Sequence, residues 1–171
     1  MSNFEDNQYL TFKIGDETFG IGLLNVKEIL EYTHVTTVPM MPSFIPGVIN
    51  LRGNVVPVLD VSDKFFRKKH SPDKRTCIVI VEVPESVNGA RMDIGLIVES
   101  VYEVLSIPSS EIEPPPTFGS RIRVDFLSGM ARQASGFILL LNLVRLLTVE
   151  ELTALEETRE EASHLTASNP A

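Results

Sequence analysis

Apolar and polar residues alternate at period two along much of this 171-residue chain, a pattern that excludes most helical architectures. In the stretch Leu10-Thr11-Phe12-Lys13-Ile14 an extended backbone puts Leu10, Phe12 and Ile14 on one face and Thr11 and Lys13 on the other. Ile94, Leu96 and Val98 stand in the same relation to Asp93 and Glu99. These segments predict half-buried strands. Residues 55–59 and 77–81 are short, unbroken apolar runs rich in β-branched side chains, and they predict strands covered on both faces. Turn signals at Gly15-Asp16, Pro46-Gly47, Gly53-Asn54, Asn88-Gly89, Gly119-Ser120 and Gly129 fall close together. That spacing favours small barrels or sandwiches over parallel βαβ units, so the fold class is mostly β.

Helical periodicity is confined to two places. Over 23–31, Val26, Ile29 and Leu30 share one helical face while Lys27, Glu28 and Glu31 share the other, which predicts a short internal helix of at most two turns. Thr148 and Glu151 have capping-box spacing ahead of Leu152 and Leu155, so a C-terminal helix is expected to start near 149. Residues 149–171 form an acidic helix and tail, with Arg159 facing Glu150, Glu151, Glu156, Glu157, Glu160 and Glu161. Residues 64–75 hold the opposite charge, in Lys64, Arg67, Lys68, Lys69, Lys74 and Arg75, and read as a solvated basic loop. Phe65 and Phe66 within it suggest one helical turn folding back on the core.

The chain carries a net charge of −8, which repels phosphate backbones and anionic lipid and argues against nucleic-acid partners. Cys77 is the one cysteine and lies in an apolar run, which fits a reducing compartment and a buried thiol rather than a nucleophile. The first residues show neither a basic n-region nor an apolar h-region, and residues 137–147 are too short to span a bilayer, so a cytoplasmic protein without direct membrane insertion is expected. His34, His70 and His164 are scattered, without metal-ligand spacing. No phosphate-binding Gly-rich loop or nucleophile elbow is present either. No catalytic residue, metal or cofactor is therefore expected, and the protein reads as a non-enzyme. The 64–75 loop leaves one other class in view, a small-ligand or oligonucleotide-binding β-barrel.

Residues 39–60 are the most distinctive segment. Residues 48–51 and 55–59 read as two strands joined by a turn through Arg52-Gly53-Asn54, with glycine supplying a positive φ. Arg52 then sits at the turn, its guanidinium available to fork onto a carboxylate or a partner's carbonyl.

The sequence Phe44-Ile-Pro-Gly-Val-Ile-Asn-Leu-Arg-Gly-Asn-Val-Val-Pro-Val-Leu-Asp60 closely resembles the signature of CheW-type chemotaxis coupling proteins. The resemblance continues in order through Tyr9 to Phe12, Phe19-Gly-Ile21, Val26-Lys-Glu-Ile29, Thr36 to Pro39, Gly95 to Val98, Val101-Tyr-Glu-Val-Leu105, Pro114 to Phe118 and Phe126 to Gly129. It ends with residues 137–147, which look like the family's last strand and short helix. Coverage is about 8–148. Two departures are Asn142, where the family more often has Asp, and the basic loop after Phe66.

The resemblance implies a fold of two intertwined five-stranded SH3-like barrel subdomains, at roughly 15–84 and 85–147, sharing the strand 8–14 and preceded by a flexible 1–7. It implies an adaptor, monomeric in isolation, that links the cytoplasmic hairpin tip of chemoreceptors to the regulatory domain of the histidine kinase CheA. Receptor-facing positions carried over are Val26, Glu28, Arg52, Val101 and Val104. The valines suit a groove lining or plain core equally, whereas Glu28 and Arg52 suit an interface better and can also pair with each other. Kinase-facing positions carried over are Gly47, Gly53 and Phe118. For the glycines the competing reading is a backbone requirement, and for Phe118 it is burial against the protein's own barrel.

Overall fold

The computed structural model describes residues 7–69, 71–83, 91–115, 126–134 and 136–146, together with Glu151 and Glu157. The strands are β1 (Gln8–Ile14), β2 (Glu17–Gly22), β3 (Val26–Glu31), β4 (Gly47–Leu51), β5 (Asn54–Asp60), β6 (Cys77–Val83), β7 (Met92–Val98), β8 (Ser100–Ser106), β9 (Ile112–Glu113), β10 (Leu127–Gln133) and β11 (Gly136–Leu141). Two short helices, α1 (Val61–Phe66) and α2 (Leu143–Leu146), follow β5 and β11. No helix among the described residues is long and apolar enough to cross a membrane.

The strands form two sheets, ordered β8-β1-β2-β11-β10-β9 and β3-β6-β7-β5-β4. The fold is thus mostly β, and the open strand orders are consistent with SH3-like barrels. The sheets divide the chain at different points from the expected subdomains. Strands from 8–22 and 100–141 build the first sheet, and strands from 26–98 build the second. β2 joins the later strands because it folds back on β1 through Gly15-Asp16 and then runs parallel to β11, Thr18 to Gly20 lying opposite Ile138 to Leu140.

Among the described residues four apolar clusters result, the smallest of them Val38 with Val48. The largest lies between the sheets and joins Leu10, Phe12 and Phe19 of the first to Leu59, Val79, Ile94 and Leu96 of the second. A second cluster, including Ile49, Val58, Ile78 and Ile97, belongs to the second sheet alone, and a third, including Ile107, Ala131, Ile138 and Leu140, to the first. Each sheet therefore curls around its own small core while sharing a common one. Each fully buried large side chain contributes about 2 kcal/mol. This arrangement explains why β5 and β6 are apolar on both faces, as expected, and why β7, expected to be half-buried, is covered on both as well: Ile94, Leu96 and Val98 face the shared core while Ile97 faces the second.

The short helix expected over 23–31 is not formed. A single 3-10 turn, Leu23–Asn25, leads into β3, where Val26, Glu28 and Leu30 are half-buried and Lys27, Ile29 and Glu31 are exposed. β3 pairs antiparallel with β6 from Val26↔Val81 to Glu31↔Cys77. A ladder with a tertiary partner outweighs the weak preference of two helical turns.

The helical turn expected at Phe65-Phe66 is α1. Its N-cap is Asp60, whose carboxylate accepts from the Asp63 amide at 3.2 Å, and its C-cap is Arg67 at φ 55°. Asp60 is 7% exposed, and burial, the dominant influence, raises its carboxyl above the ordinary carboxylate pKa. A raised folded-state value means that this group's stabilising contribution is complete at low pH and is lost as pH rises through that value. Asp60→Asn keeps the capping acceptor without the buried charge. It is expected to leave stability equal or higher at neutral pH, with the advantage shrinking as pH falls and Asp60 takes up its proton, as read by denaturation across that range.

Lys64 does not belong to a solvated loop. Its side chain is 6% exposed, its ammonium lies 4.5 Å from the Phe44 ring centre and 5.2 Å from that of Phe126, and it pairs with Glu151 at 2.5 Å. Glu151 and Glu157 are helical, as expected for the C-terminal helix; the rest of 149–171 and residues 1–6 lie outside the described residues. Asn142 caps α2, its side-chain oxygen accepting from the Val144 and Arg145 amides at 3.1 and 3.3 Å, so the departure from Asp preserves the cap.

Candidate functional site

The hairpin expected at residues 48–59 is present: β4 and β5 pair antiparallel from Gly47↔Val58 to Leu51↔Asn54, which leaves Arg52-Gly53 as a two-residue turn. Both turn residues have positive φ, 50° and 87°, the type I′ geometry whose twist matches that of the strands. The Asn50 side-chain oxygen accepts from the Gly53 amide at 2.9 Å and steadies the turn. Asn50 was not singled out from sequence, although an Asn just before a Gly-containing turn is a recognisable signal.

Arg52 forks onto Glu28 of β3, Nη1 to Oε1 at 3.1 Å and Nη2 to Oε2 at 2.5 Å. β3 and β4 are the two outer strands of the second sheet, so this pair spans the edges that the backbone ladder leaves unjoined. The following segment spans them too, through the Thr36↔Val48 bridge. The Arg52 hydrogen bond, the largest influence, lowers the Glu28 carboxyl pKa, so the pair persists at mildly acidic pH. Arg52 remains 70% exposed, which leaves much of its guanidinium turned to solvent.

A non-glycine residue at positive φ costs about 1 kcal/mol. Asparagine tolerates that conformation better and makes the preferred Asn-Gly turn. Arg52→Asn is therefore expected to match or exceed the parent in melting temperature, despite losing a solvent-exposed ion pair that contributes little. A clear fall in melting temperature would show that the pair, not the turn, governs this corner.

The other carried-over positions fall in three settings. Val26 and Val101 are half-buried against the shared core, one on each sheet. Val104, on the same strand as Val101, is 44% exposed. Gly47 is buried, and a Cβ there would lie 1.9 Å from the Thr36 carbonyl oxygen; Gly53 is exposed with nothing within 4 Å of that position. Phe118 lies outside the described residues.

Next to the hairpin tip is a cleft of about 460 Å³ bordered by Gly53, Asn54 and Val55 and by a strip of ion pairs. In that strip Lys27 meets Asp93 at 3.0 Å and Glu82 at 3.6 Å, and Arg91 meets Glu82 at 2.8 Å. The Cys77 thiol pKa is raised, chiefly by burial and then by the Glu31 charge, opposite to the shift an activated thiolate needs. The described residues contain no group of three or more His, Cys, Asp or Glu able to hold a metal ion.

A family model described as the CheW-like domain matches residues 8–151. The chain is similar to the chemotaxis protein CheW of Klebsiella aerogenes, with 32% identity over 149 residues, covering 87% of this chain and 86% of that protein. It is similar to protein FrzA of Myxococcus xanthus, with 33% identity, covering 83% of this chain and 86% of FrzA. Among solved structures, the scaffolding protein TtCheW of Thermoanaerobacter tengcongensis superposes with a TM-score of 0.75 at 32% identity, covering 86% of this chain and 93% of that one.

Proposed function

The chain belongs to the CheW-like family, and on that premise we propose that it is a non-enzymatic chemotaxis adaptor that couples chemoreceptor cytoplasmic tips to the regulatory domain of a CheA-type histidine kinase. Membership over residues 8–151 and likeness to a solved scaffolding protein support the adaptor role. The observation that carries the receptor contact is the Glu28–Arg52 pair. A bidentate, largely solvent-facing guanidinium held at a rigid turn is suited to orienting a helical partner. Val26 and Val101, half-buried where the two sheets share a core, supply the apolar lining that one face of a receptor helix requires. Val104 extends that surface along β8. Kinase contact is assigned to the exposed tip at Gly53 and to Phe118, while Gly47 acts indirectly by letting the 36–38 segment close on the hairpin. The protein is proposed to act in the cytoplasm, as a monomer recruited to receptor arrays.

Arg52→Glu sets two carboxylates against each other at an exposed corner, where stability changes stay within about 0.5 kcal/mol. It is expected to weaken co-sedimentation with receptor fragments while kinase pull-down and melting temperature stay at parental levels. Unchanged co-sedimentation removes Arg52 from the receptor contact.

A further inference from the structure

The first sheet carries a second concavity, of about 590 Å³, away from the Glu28–Arg52 corner. It crosses β8, β1, β2 and β11, with Thr11 and Thr18 among its lining residues. Four adjacent strands span roughly 14 Å, enough for four or five residues of an extended peptide. Contributions from its outer strands include two half-exposed aromatic side chains, Tyr102 of β8 at 53% and Phe137 of β11 at 44%. Aromatics this open on a chain with a substantial buried core are candidate partner anchors.

Charge identifies the partner. The lining includes the carboxylates of Asp16, Glu17 and Glu103 and no lysine or arginine. None of the three makes an ion pair among the described residues. Lys13, Lys68 and Lys69 border a different cavity, which shares Asp16 and Glu17. The net charge of −8 adds a field of the same sign. Outside that lining, Arg132 lies 5.5 Å from the Phe137 ring centre and 3.6 Å from the Glu113 carboxylate, so this ring already accepts a guanidinium within the chain.

We propose that this concavity is a docking site for a lysine- or arginine-bearing segment of a partner protein, its aliphatic stems on Tyr102 and Phe137 and its cationic heads at Glu103 and the Asp16-Glu17 turn. The site uses none of the receptor- or kinase-facing positions named above.

The full-length chain can be titrated with a synthetic peptide of alternating lysine and leucine and with its glutamate-leucine counterpart, followed by amide chemical shifts. The lysine peptide should shift the Thr11, Thr18, Tyr102 and Phe137 amides while the glutamate peptide does not. Glu103→Lys and, separately, Tyr102→Ser should each weaken binding roughly tenfold with melting temperature unchanged. The Tyr102 variant separates docking from diffuse attraction to the acidic tail. Shifts confined to the tail, equal binding of both peptides, full affinity in the Tyr102→Ser protein, or occupation of the groove by a second copy of the chain would each overturn the proposal.

Discussion

Gly47→Ala is expected to lower unfolding stability by roughly 3 kcal/mol or more. A Cβ on Gly47 would lie 1.9 Å from the Thr36 carbonyl oxygen and 2.7 Å from its carbonyl carbon, and both are backbone atoms that cannot rotate away. Thr36 is itself fixed to Val48 by two backbone hydrogen bonds of 2.8 and 2.9 Å, so relieving the contact breaks the bridge that covers β4. Gly53→Ala is the control. There a Cβ meets nothing, and only the φ of 87° is unfavourable, so about 1 kcal/mol is expected. Denaturant titration of both variants checks the contrast. A Gly47→Ala midpoint as close to the parent as that of Gly53→Ala would mean that the 36–38 segment yields easily and that Gly47 serves something other than this close approach.

The second large effect is expected at the base of the C-terminal helix. Glu151→Ala leaves the Lys64 ammonium between Phe44 and Phe126 without its counter-charge, and removing one partner of a part-buried pair costs about 2 kcal/mol. Replacing both partners by apolar side chains of similar volume is far less costly, because no uncompensated charge remains buried. The Lys64→Met, Glu151→Leu double variant is therefore expected to recover most of the loss, and a double-mutant cycle reads the coupling directly. A Glu151→Ala protein as stable as the parent would show that the helix is an appendage, as its acidic composition alone suggests.

These two sites also mark where sequence reading stops. The hairpin was legible because Arg52-Gly53 punctuates two β-branched runs and turn chemistry is local. α1 and its capping Asp60 were nearly so, since the signature ends on Asp60 and the helical turn follows at once. The segment 23–31 misled because Val26, Ile29 and Leu30 fit a helical face as well as a strand. A bulge between Val26 and Glu28 and the distant partner β6 decided the matter. Lys64 gave no signal at all: it stands in a run of cations, and its partner is 87 residues away. Gly47 reads as an ordinary turn glycine until the Thr36 carbonyl opposite it is seen. At the candidate site the Glu28–Arg52 pairing was foreseeable as complementary charge, but its place across the two edges of the sheet depends on strand order, which periodicity does not encode.

The coupling role is tested most directly by autophosphorylation of a purified CheA-type kinase with receptor cytoplasmic fragments, in the presence and absence of this protein. Kinase activity is expected to rise and come under receptor control only when all three components are present, and to fall back with Arg52→Glu. Activity that stays flat while the protein binds the kinase alone would contradict the proposal and leave the chain a CheW-like fold in a structural or competing position.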